Sequence, residues 1–289
     1  MTLWEQINQP VTYAVPFFAI AIAIEVWSMR ADRHDRAGYD RADARSSVVM
    51  GLVSLLINGA AKFAAVLGYA VLYVHAPWHV DPHNPLSWVA VVVAVDLLYY
   101  LYHRMSHRIR VIWATHQAHH NGRFFNYATA LRQKWNPWFE LLAWTPLPAL
   151  GVPPWMLFTA WSFNLVFQFW VHTETVDRLP RWYEYIFNTP SHHRVHHASD
   201  AGYLDKNYGG IFILWDRMFG SFRAETFRPT YGLTKNVDST NVLTLQFHEY
   251  GAWWRDLRST RRIRDWLGYT FGPPGWQPAT GQADKALRP

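Results

Sequence analysis

Four long apolar stretches, set apart by polar segments, dominate the pattern of the chain. The first, residues 12–29, carries one charge, Glu25, near its end. At 1.5 Å per residue it reaches about 27 Å, close to the thickness of a bilayer's hydrocarbon core. No small-residue cleavage site follows, and the next residues are charged, so a retained anchor is expected rather than a cleaved signal peptide. A second stretch covers 48–74, interrupted by Asn58 and Lys62, and a third covers 85–102 with Asp96 as its charge. The fourth, 138–171, is too long for one span. Pro146, Pro148, Gly151, Pro153 and Pro154 break it near the middle, which predicts a helical hairpin. The expected fold is all-α: an integral membrane helical bundle of about four transmembrane or hairpin helices.

Charge orients these segments. Between the first two stretches Arg30, Arg33, Arg36, Arg41 and Arg45 are interleaved with Asp32, Asp35, Asp40 and Asp43, and an Arg-rich connection of this kind stays in the cytoplasm. The third helix then returns to the cytoplasmic side, and a hairpin returns the chain to the side it left. Residues 103–135 and 173–289 are therefore expected to form one cytosolic helical cap, within a single membrane domain spanning 1–289. The Arg- and Trp-rich run from Trp253 to Trp266 suits an interfacial helix.

Composition sharpens this picture. The chain has 17 Trp, 15 Tyr and 17 Phe in 289 residues, and such rings favour the boundary between apolar and wet surroundings. A mean hydropathy of −0.13 requires a substantial polar portion beside the spans. With no cysteine, disulfides, thiolate zinc sites, iron–sulfur clusters and thiolate-ligated haem are excluded. The net charge of +6 suits anionic lipid headgroups, and no nucleic-acid partner is expected.

Histidine carries the candidate chemistry. His103, His107, His116, His119 and His120 crowd into one short stretch and His192, His193, His196 and His197 into another, whereas the average density of the chain would put about one histidine in both together. His103 and His107 are four residues apart and share a helix face, as do His116 and His120, and His193 and His197. Members of an adjacent pair cannot share a face, so each pair either serves two metal ions or gives one ligand and one residue that supports a ligand. Eight or more imidazoles exceed the four ligands of a tetrahedral zinc, which implies two metals. Imidazole alone does not choose among Zn, Fe, Cu and Ni. The Glu-x-x-His motif of carboxylate-bridged di-iron bundles is missing. His34, His75, His79, His83 and His248 read as ordinary polar residues.

The strings Trp113-Ala114-Thr115-His116-Gln117-Ala118-His119-His120, Ala130-Leu131-Arg132-Gln133 and Gln168-Phe169-Trp170-Val171-His172-Thr173-Glu174 belong together with three others. These are Asn188-Thr189-Pro190-Ser191-His192-His193-Arg194-Val195-His196-His197, Asp205-Lys206-Asn207-Tyr208-Gly209-Gly210 and Leu214-Trp215-Asp216-Arg217-Met218-Phe219-Gly220. On a multi-span apolar chain this set resembles the fatty acid hydroxylase / sterol desaturase superfamily of membrane non-haem di-iron oxygenases, and within it the alkylglycerol monooxygenase branch. The resemblance implies two iron ions, O2 as co-substrate, and hydroxylation or desaturation of a lipid. It points to His103, His107, His116, His119, His120, His193, His196 and His197 as ligands, with His172 and His192 completing the set. The branch uses a pterin as reductant and commonly has Glu after the second histidine, where this chain has Arg108. A pterin, a ferredoxin and a cytochrome b5-like protein therefore stay open as external electron donor.

Supporting residues are expected around the ligands. Asp96 lies seven residues before His103 on the same face, and either orients a ligand imidazole or pairs with Lys62 in the membrane. Gln168, Glu174 and Asn126 could hydrogen-bond ligands, with a solvated position favoured for Glu174. Arg104, Arg108, Arg132 and Arg194 are read as obeying the charge rule rather than as binding a headgroup or donor. The rival reading is a membrane metal-binding or transport protein. Transport places polar ligands near the bilayer midplane, whereas these clusters flank helix ends.

Overall fold

The structure, a computed structural model, describes residues 9–31 and 38–279. Three long helices come first. Helix α1 is Pro10–Ala31, α2 is Arg41–Val74 and α3 is Pro85–Arg108, and all three are long and apolar enough to cross a membrane. Their outward residues, among them Phe17, Ile20, Ile24, Leu55, Leu56, Leu67, Leu86 and Val89, are exposed. An apolar surface of that extent is stable in lipid and not in water; the protein is an integral membrane protein. Arg33, Arg36, Asp32, Asp35 and His34 of the first connection lie outside the described residues, as does the chain beyond residue 279.

Helix starts follow capping chemistry. Asp40 accepts from the Asp43 amide and Asn84 from the Leu86 amide, with Pro85 occupying the first turn of α3. Both α2 and α3 extend beyond the apolar runs that mark them in the sequence. At about 51 Å, α2 is longer than a bilayer's hydrocarbon core, and in its first turns Ser46 donates to the Thr240 carbonyl. Helix α3 carries His103 and His107 in its last turns.

Short helices follow: α4 (Arg110–His120), α5 (Tyr127–Ala130), α6 (Trp138–Ala143), α7 (Pro146–Ala149) and α8 (Pro154–Trp170). The proline-broken stretch thus turns back on itself at Gly151, whose φ of +80° only glycine adopts easily; a Cβ there would lie 1.9 Å from the Trp78 carbonyl oxygen. Helix α8 packs along α3 and α1, with Val95, Tyr99, Trp144, Met156, Leu157 and Trp161 in one buried core. The remainder is α9 (Arg181–Ile186), α10 (Pro190–His196), α11 (Leu214–Met218), α12 (Val242–Arg258) and α13 (Ile263–Phe271). Among the described residues there is no strand, only two isolated bridges, so the chain is all-helical.

Candidate metal centre

Among the described residues, nine histidines converge in two groups. His103, His107, His116, His120 and His196 form one, with ligand-capable nitrogens within 4.8 Å of one another; His119, His172, His193 and His197 form the other. All but the half-buried His119 are buried. The i, i+4 pairs of α3, α4 and α10 fall within one group each, while the adjacent pairs His119-His120 and His196-His197 divide between the two. Helix geometry dictates this, because neighbours about 100° apart must look at different points.

Within each group the Nε2 atoms face a common centre. His116 Nε2 lies 2.9 Å from that of His103 and 3.1 Å from that of His120; His193 Nε2 lies 2.9 Å from that of His172 and 3.2 Å from that of His197. Behind them, His103, His172 and His196 donate Nδ1–H to the carbonyls of Tyr208 (2.8 Å), Gln168 (2.7 Å) and Lys206 (3.0 Å), and His119 reaches that of Arg132 (3.3 Å). A proton held on Nδ1 leaves the Nε2 lone pair free for a metal. Burial pushes His116, His119, His120, His193 and His197 well below the usual histidine range and His196 down to about 4, so the rings are neutral, the form that coordinates. The Nε2 atoms of His107 and His196 are buried without a hydrogen-bond partner, which costs free energy unless something binds there. The donor set therefore fits a pair of metal ions.

His192 belongs to neither group. As the first of an adjacent pair it points away from His193 and packs its ring on Phe222 at 5.4 Å. Asp96 touches neither a ligand nor Lys62, which lies over the Trp161 ring. Its carboxylate accepts from the amides of Ile211 (2.6 Å) and Phe212 (3.0 Å), from Trp215 Nε1 (2.9 Å) and from Asn164 (2.6 Å), and a Cβ on Gly210 would press within 2.6 Å of it. Gln168 serves through its backbone carbonyl. Asn126 caps α5. Glu174 is buried rather than solvated, paired with Arg228 at 3.0 Å and Tyr231 at 2.9 Å.

Two of the four arginines also differ from expectation. Arg132 is buried and bonds Asn121, Asp43 and Ser47, and Arg194 is buried against Glu225; both are held by partners within the protein rather than standing as solvated charges that only follow the charge rule. Sequence reasoning gave no role to the loop 205–208. Asp205 and Asn207 sit in the left-handed region, at φ 60° and 55°, which Asp and Asn tolerate better than most residues, and this fold of the loop aims the Lys206 and Tyr208 carbonyls at His196 and His103.

This centre defines an all-helical membrane protein with a buried, all-histidine double site. Residues 88–221 match the family described as Fatty acid hydroxylase. It is 34% identical over 286 residues to the alkylglycerol monooxygenase of Homo sapiens, covering 95% of this chain and 61% of the relative. The ornithine lipid hydroxylase OlsE of Rhizobium tropici is 28% identical over 183 residues, 58% of this chain and 55% of that one. The Delta(7)-sterol 5(6)-desaturase of Candida glabrata is 28% identical over 184 residues, 59% and 46% respectively. The chain thus spans less than two thirds of the length of these relatives. No solved structure matches it.

Proposed function

We propose that the chain is a membrane-bound lipid oxygenase that holds two iron ions, one in each histidine group, and uses O2 with electrons from an external donor to hydroxylate or desaturate a lipid. The observation that carries this reading is the division of nine imidazoles, eight of them buried, into adjoining groups of five and four. The relatives' names point to alkylglycerol, ornithine lipid and sterol as substrates of those proteins. Iron, when bound, would supply the activation of O2 that no side chain provides. The chain's own residues hold the ligands, fix their tautomers through backbone carbonyls and exclude water, with Trp113, Phe125 and Tyr208 packed against the imidazole rings. The reductant, whether a pterin, a ferredoxin or a cytochrome b5-like protein, comes from outside the chain.

The test is mass spectrometry of lipids from cells expressing the protein or its His193→Ala variant. Gain of one oxygen or loss of a hydrogen pair in a lipid class, absent with the variant, is expected; no new species from folded, metal-loaded protein overturns the reading. The cap is assigned to the cytoplasmic side because Arg41 and Arg45 open α2 at the end that meets it, where Asp43 pairs with Arg132. With no native cysteine to interfere, His83→Cys should react with an impermeant thiol reagent applied outside while Asp238→Cys is shielded. The reverse pattern rejects that side.

A further inference from the structure

The last two helices, α12 and α13, each leave an apolar stripe uncovered. On α12 the exposed residues Leu243, Phe247 and Trp254 recur at helical spacing and share one face. On α13 Ile263, Leu267 and Phe271 do the same, each four residues from the next. The other side of α12 is occupied. Its Leu245 carbonyl accepts from Gln117 and Asn121 at 3.0 Å, and Glu249 and Asp256 take the Arg110 guanidinium at 2.8 and 2.6 Å. Helix α12 is thus fastened to α4, which carries His116, His119 and His120, and turns its stripe outward. Trp266 Nε1 donates to the Leu257 carbonyl at 2.9 Å and joins α13 to it.

The stripe continues onto an apolar surface of the membrane part. Trp135 meets Phe247 with ring centres 6.1 Å apart, Asn136 donates to the Tyr250 hydroxyl at 2.9 Å, and Trp253 packs with Phe139 and Ala143 of α6. There the chain enters the proline-broken stretch, whose Trp138 and Leu142 are exposed. Charge marks the border of the stripe. Arg255, Arg258, Arg261, Arg262 and Arg264 are all exposed, and none of the five pairs with a carboxylate among the described residues. The acidic residues of this segment are engaged elsewhere, Asp256 by Arg110 and Asp265 by the Thr260 hydroxyl at 3.0 Å. Arg258 lies over the Trp254 ring at 5.4 Å, which keeps its charge at the edge of the apolar face.

We propose that α12 and α13 lie in the plane of the membrane as one amphipathic hairpin that selects anionic lipid, its apolar stripes in the outer acyl region and its five arginines on negatively charged headgroups. A zwitterionic surface satisfies the stripes alone, whereas an anionic one also neutralises the arginines. An acidic protein would match the charge, but the continuity of the stripe with Trp138 and Leu142 favours lipid. Nothing in this depends on the oxygenase reading above.

The test uses the full chain, free of native cysteine, with Leu267→Cys labelled by a fluorophore. It is reconstituted in vesicles of phosphatidylcholine, alone or with added phosphatidylglycerol, containing phosphatidylcholine spin-labelled near the headgroup end of an acyl chain. Quenching should be several-fold stronger in the anionic vesicles and should fall toward the phosphatidylcholine level at about 1 M salt, where the screening length is about 3 Å. A label at Leu56→Cys on α2 should show no such dependence. Arg255→Gln/Arg258→Gln/Arg261→Gln/Arg262→Gln/Arg264→Gln should remove the effect of phosphatidylglycerol at unchanged helix content; if that variant fails to insert, Arg261→Gln/Arg262→Gln/Arg264→Gln should remove part of it. Equal quenching in the two lipids, or an excess untouched by the arginine substitutions, overturns the proposal. So does a label unquenched in both membranes, the result expected if this face is kept for an acidic partner protein.

Discussion

The two histidine groups are built differently. The five-histidine group is largely local: two i, i+4 pairs on consecutive helices, joined by His196, with its outer support from the loop around Tyr208. The four-histidine group contains one such pair, His193 and His197, and takes His119 and His172 from elements far apart in sequence. It has one donor fewer. The contrast arises because adjacent histidines at two helix ends are shared between the groups.

The sharpest break of this comparison is catalytic. His193→Ala removes a proposed ligand of the four-histidine group and should lower lipid oxidation more than a hundredfold, beyond the roughly 10–100-fold typical of residues that only support a ligand. His192→Ala, one residue away and outside both groups, should keep most of its activity. Turnover of both variants at equal membrane expression decides it. Equal loss in the two would erase the distinction between a ligand and its neighbour. The pair His119 and His120 tests the division directly. Metal analysis of loaded protein should give about two ions per chain; either alanine variant should lose one, and the double variant both. A double variant no worse than a single one means that the two serve the same ion.

How far the sequence carried this depends on range. The i, i+4 pairs and the splitting of adjacent pairs are short-range helix geometry, so that His116 shares a face with His120 and not with both members of the His119-His120 pair was readable as a pattern, whereas the joining of His103 and His107 to His116 and His120, and the division of His119 and His120 between two groups, were not. That His192 drops out was not, because either member of a pair can face inward and only the packing against Phe222 decides. The same holds for Asp96, whose partners Asn164, Ile211, Phe212 and Trp215 lie far along the chain on other elements, and for Arg132, read as a surface charge but buried between α2 and the end of α4. Carbonyls such as those of Lys206 and Tyr208 leave no side-chain signature at all; the Asp205–Gly210 string was visible, its backbone conformation was not.

A smaller effect concerns pH. In the folded, metal-free protein His116 and His120 of one group and His119, His193 and His197 of the other resist protonation because they are buried. Their pKa values lie below the unfolded value of about 6.5, so the unfolded chain binds protons first, and stability present above that pH is lost as pH falls through it. Each such imidazole contributes about 1 kcal/mol per pH unit. Thermal unfolding of the metal-free protein in detergent should shift to lower temperature between pH 7 and 5, less steeply in His116→Gln/His120→Gln. A flat profile means that the rings are not held neutral by burial.

The smallest expected effect separates the supports of the two groups. Asp216, fully buried, accepts from the amides of Tyr208 at 2.8 Å and Gly209 at 2.7 Å and from Ser221 Oγ at 2.7 Å. It thereby fixes the carbonyl that takes Nδ1–H of His103. Asp216→Asn keeps one acceptor oxygen and turns the other into a donor facing an N–H, so the loop must shift and the His103 ring with it. Metal retention should weaken about tenfold, the low end for residues supporting a ligand, and only in the five-histidine group, because the four-histidine group leans instead on the carbonyls of Gln168 and Arg132. Burial raises the Asp216 carboxyl to about 6, so below that pH the wild-type group gains a proton and the difference from the variant should shrink. Chelator competition resolves the outcome as two release phases: slowing or quickening of both alike in the variant, at pH 7, would show that the loop supports the whole centre and that the two groups are not independently held.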